Sequence, residues 1–201
     1  MSQQRVERSE VLGLADYETI RDRFRSRMSA KKKTRRVKLT TQASCLLKNH
    51  DTVLLQVQEA LRPERITRER AILHGLVTYN QLVPSSHELS ATVLVEIDEK
   101  TDRERFLYEA VGLERSFAVI VDGETCPARV DPARVQSDRT TADHRLKFPL
   151  GEKAQRAIGD VARKKRKAAD VALEVVVEHD RYSARPKLDT ATVQALADDL
   201  A

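Results

Sequence analysis

Five histidines punctuate this chain, at positions 50, 74, 87, 144 and 179, and imidazole is the side chain that both ligates metals and changes charge near neutral pH. No two are three or four residues apart, which excludes the helical histidine pair of zinc enzymes. His144 opens one expected strand and His179 closes another, so adjacent antiparallel strands would bring the two rings together beside Glu178, Asp180 or Tyr182. That arrangement would hold a metal ion or move a proton. Strand-end histidines with ordinary hydrogen bonds fit the same pattern. No Ser or Cys sits in a nucleophile-elbow context and the six glycines are scattered, so neither covalent catalysis nor a phosphate loop is indicated. Beyond a metal ion at the two histidines, no cofactor is expected.

A second set is Gln56, Glu59, Arg62 and Glu64. Glu59 and Arg62 are three apart and share a helix face. With Gln56 and Glu64 they would wall a small-anion pocket, or form an ion-pair network fixing that helix to its neighbour. The third set is the densest: residues 21–38 carry ten Lys or Arg and one acid. Arg21, Arg25, Lys31, Lys32, Lys33, Arg35 and Arg36 would track a phosphate backbone with salt-dependent affinity. The only nearby aromatics, Tyr17 and Phe24, belong to an apolar stripe, so stacking on bases is not provided. Solvation or internal pairing is the other reading of so much like charge. The cluster Arg163–Lys167 closes a helix, where cations complement the dipole.

Periodicity supplies the elements that must position these groups. Tyr17, Ile20, Phe24 and Met28 recur at helical spacing over 16–28. Two short strands follow over 35–40 and 43–48. Asp51 is placed to cap a helix over 52–62 with Val53, Leu54, Val57 and Leu61 inward. Pro63 ends it. Thr67 would cap the next helix, with Ile72, Leu73, Leu76 and Val77 as its apolar face. Strands are expected over 91–97 and 117–121, with a helix over 102–111 between them. Asp122-Gly123 suits a type I′ hairpin returning through 124–130. A polar loop over 131–143, a strand over 146–150, a helix over 152–166 and a strand over 171–179 complete the pattern. Asp189 caps the last helix, stapled by Leu188 and Val193.

The fold expected is α+β: a helical N-terminal part with a short hairpin, packed on a mainly antiparallel sheet with helices on one face, in a split βαβ-like order. Val83–His87 marks a boundary between a basic helical region, 1–85, and a sheet region, 86–201, within what is also readable as one compact domain. The net charge of +5 divides unevenly, with 17 basic and 9 acidic residues up to position 70 and 19 and 22 after it. Aromatics are only 4% and Trp is absent, so Val, Leu, Ile and Ala must build the core. Two distant cysteines, no apolar run of bilayer length and no signal-like N-terminus point to the cytoplasm and away from a membrane.

Lys33–Leu39, Asn49–Thr52, Gln56–Ile66, Tyr79–Pro84 and Leu89–Thr92, with His144, Phe148, His179 and Tyr182, resemble a family of uncharacterised bacterial proteins of about this length. Two departures stand out: Leu47-Lys48-Asn49 replaces the Phe-Glu-Asn common in relatives, and Ala60 stands where methionine is often found. The family's genes tend to lie beside rubrerythrin-like and iron–sulfur oxidoreductase genes, so the resemblance implies an accessory role in redox or oxidative-stress metabolism, with another protein, such as a redox protein, as partner. It adds Asn80 to Gln56, Glu59, Arg62, Glu64, His144 and His179 as site residues. Three expectations result: an accessory or binding protein with a small-anion pocket near Glu59, Arg62 and Glu64; nucleic-acid binding through 21–38; and a metal-dependent enzyme using His144 and His179.

Overall fold

The computed structural model describes residues 5–200, so the first four residues of the N-terminal segment lie outside it. Helix α1 (Leu14–Lys33) runs a turn longer than its apolar stripe and takes in the lysine run. Only Tyr17 and Met28 of that stripe are buried, while Ile20 is exposed. Strands β1 (Arg36–Lys38) and β2 (Ala43–Leu47) follow as an antiparallel pair. Helix α2 (His50–Leu61) is capped by Asn49 rather than Asp51. Asn49 is extended and shares a reciprocal capping box with Thr52, satisfying two otherwise orphaned groups. Helix α3 (Glu69–Asn80) starts without a side-chain cap, Thr67 being exposed. Of its expected apolar face, Ile72 and Leu76 are buried but Leu73 and Val77 face outward.

Strand β3 (Glu88–Val95) leads to α4 (Lys100–Glu109), β4 (Phe117–Val121) and β5 (Glu124–Pro127). Asp122 and Gly123 both have positive φ, 49° and 85°, as a type I′ turn requires. The return strand does not continue as one piece. Pro127 ends β5, having no N–H to extend the ladder, and after Ala128 the strand β6 (Arg129–Val130) joins the other sheet. Strand β7 (Asp143–Pro149) and α5 (Glu152–Ala162) come next. The expected extension of α5 to 166 fails because Lys164 turns left-handed (φ 57°). The N–H groups of Lys164 and Lys165 then bond the carbonyls of Val161 and Asp160, a Schellman ending. Strands β8 (Leu173–His179) and β9 (Tyr182–Ala184) precede α6 (Thr190–Asp199), which Asp189 caps as expected through the Thr192 N–H at 2.7 Å.

The class is α+β and the pairing antiparallel, with the strands divided between two sheets, β1-β2-β3-β7-β6 and β5-β4-β8-β9. The first sheet takes β1 and β2 from before residue 85 and the rest from after it, so its ladder crosses that position. A large core joins residues of both sheets to α5 and α6, including Leu47, Val93, Phe117, Phe148, Val175 and Ile158. A smaller one lies among α2, α3 and the N-terminal segment, where Val6 and Val11 meet Val53, Val57, Ile72 and Leu76. No described helix is long and apolar enough to cross a membrane.

Candidate functional site: a cationic sheet face

Alternation gives the five-stranded sheet two unlike faces. One carries Val37, Cys45, Leu47, Ala91, Val93, Leu146 and Phe148 into the core. The other carries Arg36, Ser44, Leu46, Lys48, Ser90, Thr92, Arg145 and Lys147, as the register shows: Arg36 opposite Leu46, Leu46 opposite Thr92, Thr92 opposite Arg145, Ser90 opposite Lys147. Lys48 follows β2, its N–H donating to the Ser90 carbonyl at 2.7 Å. Its side chain is only 6% exposed, and its Nζ donates to Gln56 Oε1 of α2 at 2.9 Å.

Lys48 therefore sits in a buried position with no carboxylate partner among the described residues. Burial, with the charges of Lys32, Arg145 and Arg36 adding to it, pushes its amine down to about 8. Lys32 is half-buried and held below its ordinary value for the same reasons, burial first and Arg36 second. Arg145 stacks over Tyr79, 5.5 Å from the ring centre, and comes no nearer than 3.9 Å to Asp143. Arg36 reaches Glu96 and Ser44 Oγ, both at 2.9 Å. Beside these cations, the hydroxyls of Ser90 and Thr92 are buried with no hydrogen-bond partner among the described residues, although burying a hydroxyl unpaired is costly. Ser90 and Arg145 also line a cavity of about 390 Å³ that continues along the face past Leu82, Val130, Leu146, Lys147 and Arg129. Converging cations, donor hydroxyls and one amide are the groups that hold an anion.

The residues singled out from sequence are distributed differently. Glu59 is engaged by Tyr17 Oη at 2.7 Å and by both nitrogens of an Arg21 fork at 2.8 and 2.9 Å, with Arg25 at 3.8 Å. The Arg21 fork is the main cause that holds its carboxyl down at about 2. Arg62 pairs with Glu18, and Glu64 is exposed beyond the helix. Glu59 and Arg62 are thus engaged by residues of α1, and of that set only Gln56 reaches the cationic face. Asn80 clamps the N-terminal segment, accepting from the Val6 N–H at 2.8 Å and donating to its carbonyl at 2.9 Å. In the basic run, Lys31 pairs with Asp51, Arg35 with Asp199 and Arg36 with Glu96. Lys33 is exposed.

His144 and His179 lie on different sheets. His179 Nε2 meets the Val111 carbonyl at 3.0 Å, while its Nδ1 accepts from the Arg181 N–H at 3.2 Å. His144 is buried against Phe117, with ring centres 6.0 Å apart, and its Nε2 is unpartnered, as is Oε1 of buried Glu114. Desolvation lowers the His144 pKa. Among the described residues no cluster of three or more His, Cys, Asp or Glu is arranged to hold a metal. Lys48, Ser90, Thr92 and Arg145 escaped sequence reasoning. For Ser90, Thr92 and Arg145 the signal was the polar member of each apolar alternation, Leu89-Ser90-Ala91-Thr92-Val93 and His144-Arg145-Leu146-Lys147-Phe148; Lys48 had none.

No curated protein matches this chain. A crystal structure of a protein of unknown function from Burkholderia pseudomallei K96243 is similar to it, with a TM-score of 0.87 and 28% identity over 98% of this chain and 100% of that one. The model of a family described as protein of unknown function (DUF3501) matches residues 5–200. The match runs through every element that builds the cationic face, and the chain belongs to the DUF3501 family.

Proposed function

We propose that this protein binds a small anion on the polar face of its five-stranded sheet and acts as an accessory binding protein. The observation that carries the reading is Lys48: a buried ammonium with no carboxylate partner among the described residues, flanked by Lys32 and Arg145 and by the hydroxyls of Ser90 and Thr92, which are unpaired within the same set. An anion there supplies the missing counter-charge and accepts from both hydroxyls. The small-anion site expected near Glu59, Arg62 and Glu64 thus moves one helix face inward and keeps Gln56.

The link to redox or oxidative-stress metabolism rests on the gene neighbours that the family resemblance implies. Both cysteines are buried and free, and burial pushes the Cys45 thiol up to about 12, far from a reactive thiolate. On this reading electron transfer belongs to a protein partner, and this chain holds an anionic ligand. Calorimetric titration of the full chain with inorganic phosphate and with sulfate at low ionic strength tests it. Saturable binding that Lys48→Met abolishes is expected; equal heats from wild type and variant defeat the proposal.

A second reading, nucleic-acid binding through 21–38, keeps one observation in its favour: Arg23, Arg27 and Lys33 lie exposed on α1 with no acid partner among the described residues. Retardation of generic DNA and RNA at two salt concentrations tests it, and no shift at low salt ends it.

A further inference from the structure

We infer that the ligand of this face is a short organic dianion, two carboxylate-like groups joined by a small apolar spacer. The inference rests on the anion-binding reading above and names its ligand class. The cavity of about 390 Å³ is far larger than an inorganic anion needs, a water molecule's share of liquid being about 30 Å³. Its two ends are both cationic. At the inner end stand Arg145 and the free hydroxyl of Ser90. At the rim, Arg129 of β6 lies directly opposite Lys147 of β7, a like-charge pair in which Glu88 answers only Lys147.

Leu82 supplies the apolar side chain of the lining, while Val130 and Leu146 adjoin the cavity from strand positions whose side chains face the core. The other charged groups around the cavity are already engaged. Glu88 accepts from Lys147 Nζ at 2.5 Å and from the Ser85 N–H at 3.0 Å. Asp131 accepts from the Ala133 N–H at 3.0 Å, and Arg134 pairs with Asp143 at 2.9 Å. Arg129 is exposed, and among the described residues it makes no ion pair or side-chain hydrogen bond. It is therefore the group left to receive a second anionic end, with Lys147 beneath it.

Acetate, succinate, glutarate and inorganic phosphate, titrated into the full chain at constant ionic strength, provide the test. Succinate or glutarate should bind about tenfold tighter than acetate, one added charge-assisted contact being of that size. Arg129→Gln should bring the ratio of dicarboxylate to acetate affinity close to one. Arg129 is an exposed residue of a two-residue edge strand, and an unchanged unfolding midpoint verifies that the variant folds. If phosphate binds but the dicarboxylates bind no tighter than acetate, the ligand class is wrong while the anion site stands. If no probe binds and Lys48→Met changes nothing, the anion-binding reading itself falls and takes this inference with it.

Discussion

Lys48 and Gln56 form a buried amine–amide pair, Nζ to Oε1 at 2.9 Å, in which the amide neutralises none of the charge. A neutral acceptor orients the ammonium while leaving its electrostatic cost in place. Substituting Lys48 by Met should therefore stabilise the fold and remove anion binding together, a trade between stability and function.

The pH dependence of that stabilisation follows from the direction of the shift. The amine is held at about 8 when folded, against an ordinary value of 10.5. Below about pH 8 both states carry the proton and the folded state bears the whole penalty, about 3 kcal/mol. Between pH 8 and 10.5 the unfolded chain keeps a proton the folded chain has lost, so this group's contribution makes stability rise with pH. Urea unfolding of wild type between pH 7 and 10 should show this rise relative to Lys48→Met. Parallel profiles for the two proteins would contradict the assignment.

Anion binding should also move a proton. A ligand charge beside Lys48 favours its charged form, so complex formation near pH 8.5 takes up a proton from buffer. Titration at that pH in two buffers of different ionisation enthalpy should give different apparent heats, and the difference should vanish at pH 6.5, where Lys48 is already protonated. Identical heats at pH 8.5 would exclude Lys48 as a ligand contact.

Glu59 gathers Tyr17, Arg21 and Arg25 on one carboxylate. Glu59→Ala should cost about 2 kcal/mol by leaving the buried Tyr17 phenol and the partly buried Arg21 guanidinium without their acceptor. Its folded-state value is depressed to about 2 from 4.5, so its contribution is present above about pH 4.5 and is lost as pH falls through 2. Acid titration followed by circular dichroism should show the variant lacking this component, with anion binding at neutral pH retained.

Arg35 ties the end of α1 to the end of α6. It pairs with Asp199 and also donates to the Ala195 carbonyl near the C-terminal end of α6 at 3.1 Å. Asn49 Nδ2 meets the same carboxylate at 3.2 Å. Arg35→Met should destabilise by about 3 kcal/mol because it takes the guanidinium away from a largely buried carboxylate, and Arg35→Lys should restore only part of this, having no planar fork. An unchanged thermal midpoint in Arg35→Met would refute the role.

Much of the fold was legible because strong alternation and clear punctuation coincide. The Asp122-Gly123 turn, the Asp189 cap and the alternation of Val171–His179 each depend on local chemistry alone. The split into two sheets was not legible, since it turns on where Pro127 stops one ladder and lets the next residues join another. The helix boundaries moved where backbone geometry overruled side-chain suitability: Asn49 took the cap from Asp51 because it occupies the extended position, and Lys164 ended α5 without glycine. For the site, a run of ten cations in one segment drew attention to charge density. Half of those cations found acids from distant parts of the chain, which no local reading supplies. Lys48, a lone cation in a short strand-to-helix junction, became significant only through the burial of its surroundings.

Ala128 is the single residue between β5 and β6, and its N–H is bonded to the Phe117 carbonyl at 2.9 Å. Arg129 thus grips any guest from a strand whose preceding half is laced into the opposite sheet. Tension at the cavity rim is delivered through one peptide link to β4, on the far side of the main core, so ligand arrival should be audible as slowed amide exchange in a ladder that no guest ever touches.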